Sequence, residues 1–194
     1  MTTPATEPDA ERDSTVTVRQ AEQADVLAVY RIEQRTFPQP WPFSAFDSFV
    51  GERGFLVATK PGDVVTAGSD AKGGVDTPDT VVGYVVGDVV PNHGRDIGHI
   101  KDIAVDAAHR GAGIGRRLLV EGLTSLVMQG AAVVKLEVRE GNEPALSLYR
   151  EFGFEPVHRV PRYYGDGEAA LVMVLDVNEW MGHSVADADD GDAE

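Results

Sequence analysis

Residues 110–115, Arg-Gly-Ala-Gly-Ile-Gly, are the part of this 194-residue chain best suited to hold a ligand. They follow the apolar run Ile103-Ala104-Val105 and open a segment with helical periodicity. The N-terminus of a helix presents unpaired N–H groups and the positive end of its dipole, so it attracts phosphate. Glycine at 111, 113 and 115 lets that backbone approach phosphate oxygens without Cβ clashes. Arg110, Arg116 and Arg117 add positive charge in an acidic chain. A plain glycine-rich strand-to-helix turn would read the same way, and the residues alone leave both readings open. Competing phosphate motifs fit worse. No Lys follows these glycines, as a Gly-x-x-x-x-Gly-Lys-Ser/Thr loop requires. The spacing Gly111-x-Gly113-x-Gly115 is one residue short of the dinucleotide pattern Gly-x-Gly-x-x-Gly.

Other groups able to do chemistry lie further along. In the β-branched run 132–138, Val134, Leu136 and Val138 fall on one face and Lys135, Glu137 and Arg139 on the other. Glu137 is then either a solvated charge or a proton acceptor. Asn142 suits a helix N-cap, and Tyr149, one turn before Phe152, suits core packing equally well. The five histidines show no metal-binding spacing, so no metal is expected. Cysteine is absent, which excludes disulfides, thiolate nucleophiles and Cys-ligated zinc. Gly182-His183-Ser184 lacks the closing Gly of a hydrolase nucleophile elbow.

The elements that must position these groups alternate. Val16 to Arg19 reads as a strand, and Asp25 as the cap of a helix reaching Arg35. Prolines at 38, 40 and 42 break that helix, and Phe43 to Val50 suggests a short second one. Strands are expected at 55–59, 81–90 and 98–105, with bulges at Gly83 and Gly87. A helix follows from about Gly113 to Met128, stopped by Gly130; then come a strand at 132–138, a helix from Asn142 to Gly153, and strands near 155–160 and 169–177. This order predicts one α/β domain over 15–181, with helices on both faces of a mixed sheet. The Gly-, Asp- and Thr-rich 61–80 reads as a flexible loop insertion, and 1–14 and 182–194 as disordered acidic tails.

Charge narrows the partners. With 17 Lys and Arg against 32 Asp and Glu, the net charge is −15. Such a surface repels nucleic acid and anionic membranes. The acids suit a protein kept hydrated in concentrated salt, where at about 1 M the Debye length is about 3 Å and self-repulsion is silenced. No signal peptide or apolar run of membrane-spanning length is visible, so a soluble cytoplasmic protein is expected.

Taken together in order, several motifs resemble one superfamily. Arg110-x-x-Gly113-x-Gly115 matches the Gln/Arg-x-x-Gly-x-Gly/Ala signature of the GNAT N-acetyltransferases. Ile103-Ala104-Val105-Asp106 precedes it; Leu136-Glu137-Val138-Arg139, Asn142 and Leu148-Tyr149-Arg150-Glu151-Phe152-Gly153-Phe154 follow. Arg31 to Arg35, Pro40-Trp41 and Arg162-Tyr163-Tyr164 are similar to the RimI-like branch, which acetylates protein N-termini, ribosomal proteins among them. The resemblance spans about 16–177 and implies the GNAT fold, a mixed, mostly antiparallel sheet with helices on both faces.

It also implies acetyl-CoA as co-substrate, with no metal, and direct transfer in a ternary complex. Arg110, Gly111, Ala112, Gly113, Ile114 and Gly115 would hold the diphosphate; Ile103, Ala104 and Val105 would line the donor arm, with the Val105 N–H as oxyanion donor; Asn142 would touch the cofactor. Glu137 would be the general base, strengthened if partial burial raised its pKa, and Tyr149 the acid that protonates the leaving sulfur. Phe37, Pro38, Trp41, Tyr163 and Tyr164 would flank the acceptor peptide. Pro40-Trp41-Pro42-Phe43-Ser44 stands where the branch has Pro-Trp-Ser, which alters the shape of that groove. Acceptors other than an α-amine (a lysine side chain or a small amine) remain open, as does a non-catalytic acetyl-CoA sensor. The oligomeric state is not legible.

Overall fold

Strands form at Thr17–Gln20 (β1), Phe55–Lys60 (β2), Val64–Val65 (β3), Val75–Asp76 (β4), Thr80–Val90 (β5), Ile97–Val105 (β6), Val133–Arg139 (β7), Glu155–Val160 (β8) and Ala170–Asp176 (β9) in the computed structural model. Helices form at Val26–Thr36 (α1), Phe43–Phe49 (α2), Ile114–Met128 (α3) and Glu143–Glu151 (α4). The structure describes residues 16–61, 64–65, 75–76 and 79–182. The expectations for 1–14 and 183–194, and most of that for 61–80, lie outside the described residues; within 61–80, β3 and β4 pair antiparallel.

Seven strands make one sheet in the order β1-β2-β5-β6-β7-β9-β8. Every neighbouring pair is antiparallel except β6 and β7, which run parallel. The periodicity of α3 explains its place. Leu118, Leu119, Leu123 and Leu126 share one stripe and are fully buried against the sheet, each worth about 1.5–3 kcal/mol. Leu146 and Tyr149 of α4 join the same cluster. On the opposite face, Val26, Val29 and Ile32 of α1 and Phe46 of α2 pack on Phe55, Val57, Tyr84 and Val86.

Two irregularities in β6 set the geometry at the centre of the sheet. Opposite β5, Asp102 pairs with Val86 but Ile100 with Gly87, so Lys101 is an extra residue, a bulge. A bulge reverses the alternation of side chains. Ile100 therefore packs with α3, while Asp102 and Ala104 turn to the α1–α2 face. The second irregularity is where β6 leaves β7. Their pairing covers only Ile97–Ile100 against Val133–Leu136, although β6 continues to Val105 and β7 to Arg139. Beyond Leu136, β7 is held by β9 alone and β6 by β5 alone, so the sheet opens as a wedge.

One capping expectation needs correction. Asp25 precedes α1 but makes no side-chain cap to it. Its carboxylate instead accepts from the Glu22 N–H at 2.9 Å and pairs with Arg19 at 2.6 Å. The charged guanidinium is the stronger donor.

Candidate active site

A cavity of about 690 Å³ sits in the wedge, between the α1–α2 layer, the diverging ends of β6 and β7, and the 161–168 loop. Eight of the residues singled out from the sequence line it: Phe37, Trp41, Ile103, Glu137, Asn142, Tyr149, Tyr163 and Tyr164. Glu137 reaches it because β7 alternates, burying Val134, Leu136 and Val138 under α3 and α4 and turning Lys135, Glu137 and Arg139 away. Tyr149 reaches it from α4, whose first turn is fixed by the Asn142 side chain accepting the Ala145 N–H at 3.3 Å.

The Glu137 carboxylate is not a lone charge. His99 Nε2 lies 2.6 Å from one oxygen, and Lys135 Nζ donates to the other at 3.1 Å. The His99 hydrogen bond, helped by its charge and by Lys135, outweighs partial burial and holds Glu137 below the usual carboxylate range. The condition under which burial would strengthen this base is therefore not met. The group is a poised anion and a weak base. Tyr149 is almost wholly buried beside Phe154, ring centroids 5.8 Å apart. Burial pushes its phenol above the ordinary value, so it stays protonated through the neutral range.

The link to His99 makes a testable statement about pH. A hydrogen bond that favours the carboxylate lowers its pKa; removing it must raise the pKa. In His99→Ala, the Glu137 carboxyl followed by carbon NMR is expected to titrate at higher pH than in the parent. An unmoved titration would show that His99 does not set the charge.

The acceptor-side residues form two walls. Tyr163 and Tyr164 meet edge to face at 5.0 Å. The Arg139 guanidinium stacks 4.0 Å above the Tyr164 ring and pairs with Asp166 and Glu168 at 2.7 and 2.6 Å, which fixes the 161–168 loop. Burial pushes the Tyr164 phenol up to about 12. Opposite, Trp41 stacks on Phe49 at 6.1 Å, and Gln39 Oε1 accepts the Gly165 N–H at 3.0 Å, joining the walls. Pro38 does not line the cavity.

The glycine loop lies at the start of α3. Gly111 and Gly113 have φ of 80° and 72°, a region that disfavours side chains. Gly113 is the N-cap residue of α3 and brings no side-chain cap, so the first-turn N–H groups are left for another acceptor. A Cβ on Gly111 or Gly113 would meet nothing within 4 Å. Their openness is not required by internal packing, and it fits a bound diphosphate. Ala112, Gly113 and Ile114, with Val16 and Arg117, line a depression of about 140 Å³ there. Arg110 ties the loop back through Nε to the Val105 carbonyl at 3.0 Å. Ala104 is buried toward α1–α2, and Val105 packs on the α3 side. Gly115 opens toward Val105 and Leu148 at ordinary contact distance.

Sequence reasoning missed four groups in or under the cavity: His99, Glu33, Tyr84 and Asp102. Glu33 falls on the stripe of Val26, Val29 and Ile32, and Asp102 interrupts an apolar strand. A charge on an apolar face was the available signal. Among the described residues no group of His, Asp and Glu could hold a metal, and no helix is long and apolar enough to cross a membrane.

Comparison with known proteins shows the family. Residues 26–154 match the acetyltransferase (GNAT) family. The N-alpha-acetyltransferase of Sulfolobus acidocaldarius is 34% identical over 168 residues, covering 85% of this chain and 95% of its own. The ribosomal protein bS18-alanine N-acetyltransferase of Escherichia coli K12 is 30% identical over 165 residues, covering 84% and 98%. A crystal structure of the E. coli ribosomal-protein-S18-alanine N-acetyltransferase matches with a TM-score of 0.65 at 29% identity, over 84% of this chain and 94% of that one.

Proposed function

This chain belongs to the acetyltransferase (GNAT) family, and on that premise we propose that it transfers acetyl from acetyl-CoA to the N-terminal α-amine of proteins. The observation that carries this reading is the wedge between β6 and β7, which places Glu137 and Tyr149 in one cavity. A donor arm with amide groups entering the wedge would find free strand edges to bond, while its diphosphate sits at the start of α3.

The chemistry then has an economical form. The neutral amine attacks the thioester carbon, Glu137 takes the amine proton directly or through water, and the Tyr149 hydroxyl protonates the departing sulfur. Backbone N–H groups of Ile103 to Val105 would polarise the carbonyl. The low basicity of Glu137 bears on the acceptor. An α-amine with pKa near 8 costs about 1.4 kcal/mol to deprotonate at pH 7, whereas lysine, near 10.4, costs about 4.6 kcal/mol. A weak carboxylate base suits the first. A peptide with a free N-terminus and an internal lysine is expected to be acetylated at the α-amine only. Labelling confined to the ε-amine would overturn the reading.

Ribosomal proteins fall within the proposed acceptor class, given the relative that acts on bS18. The acidity supports work in concentrated salt. Turnover is expected to hold or rise up to about 1 M KCl; a steady decline from low salt would contradict it.

A further inference from the structure

The proposed chemistry leaves unused a buried cluster beside the cavity: Glu33 from α1, Tyr84 from β5 and Asp102 from β6. Glu33 is 1% exposed and Tyr84 is fully buried. Glu33 Oε1 accepts the Trp41 N–H at 2.7 Å, and its other oxygen accepts from the Tyr84 hydroxyl. The same hydroxyl lies 3.0 Å from Asp102 Oδ2.

Counting protons decides what this cluster is. A phenol has one proton and can donate it to one carboxyl only. The contact with the second carboxyl needs a donor, and a carboxylate has none. Among the described residues no cation supplies one: Lys101 pairs with Asp88 at 3.1 Å, Arg35 with Asp106 at 3.3 Å, and His99 with Glu137. Tyr149 of α4 lines the same cavity as Asp102, and the Phe46 ring of α2 lies edge-on to Tyr84 at 5.4 Å.

We propose that Asp102 is a neutral carboxylic acid at working pH, donating into Tyr84 and through it orienting Glu33, so that the cluster carries one negative charge and anchors the Trp41 wall. Asp102 and Tyr84 are then positioning residues: the chain of hydrogen bonds runs from Asp102 to Tyr84 to Glu33, which receives Trp41 from the other side. Burial and the neighbouring Glu33 charge push Asp102 well above the usual carboxylate range, in agreement. The consequence for stability has a definite sign. The native state keeps a proton that the unfolded chain releases above about pH 4, so this group's contribution is full below that pH and falls as pH rises toward the native value.

The protonation state is independent of the acetyl-transfer reading; the effect on the acceptor wall rests on it, and the two are read separately. Infrared spectra of the full-length protein at pH 7 are expected to show a protonated-carboxyl band that shifts in Tyr84→Phe and disappears in Asp102→Asn. Asp102→Asn is also expected to lose one proton's worth of pH dependence in its unfolding free energy. No such band in the parent protein, or one that survives Asp102→Asn and vanishes in Glu33→Gln, would overturn the proposal whether or not the protein is an enzyme. For the wall, Asp102→Leu is expected to raise the peptide KM about tenfold with kcat and acetyl-CoA affinity little changed, and Asp102→Asn, which keeps a donor, to restore most of it. Equal damage from both variants would overturn the positioning role.

Discussion

Glu137→Gln is expected to lower kcat about 100-fold at pH 7 while leaving the dissociation constant for acetyl-CoA unchanged. Positioned bases typically contribute 10²–10⁴-fold, and an α-amine sits at the low end because about a tenth of it is already neutral at pH 7. The deficit therefore has its own pH signature. As pH rises past the amine's pKa, solvent does the work of the base, and the loss is expected to shrink below about tenfold by pH 9. The amide of Gln keeps the shape of the cavity and can still meet Lys135 or His99, so lost packing does not explain the defect. Wild-type turnover at pH 7 in single-turnover kinetics would remove Glu137 from proton transfer.

The second large effect is on binding. Gly113→Val is expected to weaken acetyl-CoA at least 5- to 30-fold without altering the chemical step at saturation. Gly113 adopts φ of 72° in a turn where a new Cβ would touch nothing within 4 Å. For a β-branched residue that conformation costs about 1–2 kcal/mol. Because the turn is open, the free protein relieves this strain by relaxing the loop. Rebuilding the cradle then weakens ligand binding by the same amount, and 1–2 kcal/mol corresponds to about 5- to 30-fold in Kd. Calorimetry checks the affinity, and a near-native melting temperature separates the effect from unfolding. Undiminished affinity would move the diphosphate away from α3.

Much of this architecture was visible in the residues, for local reasons. The face carrying Glu137 follows from strand alternation in 133–139, the start of α4 from the Asn142 cap, and the open mouth of α3 from glycines placed where helical periodicity begins. Pairings between distant residues were hidden. His99 and Glu137 are 38 residues apart, and Glu33 and Tyr84 are 51 apart, so no spacing rule joins them. Asp102 joins Tyr84 because Lys101 bulges out of register with β5, which flips Asp102 to the α1–α2 face. A slip of that kind depends on the partner strand, not on the sequence that slips. The misplaced cap at Asp25 has a similar origin: Arg19 lies on β1, and only the folded sheet brings its charge within 2.6 Å.

The decisive experiment is a crystal structure with a bisubstrate analogue, in which an acetyl bridge joins CoA to a peptide α-nitrogen. The diphosphate is expected on the first-turn amides of α3, the sulfur between β6 and β7 near the Tyr149 hydroxyl, and the peptide nitrogen facing Glu137 between Trp41 and the Tyr163–Tyr164 pair. A diphosphate bound away from Gly111–Arg116, or a peptide entering from the face covered by α3, would contradict this arrangement.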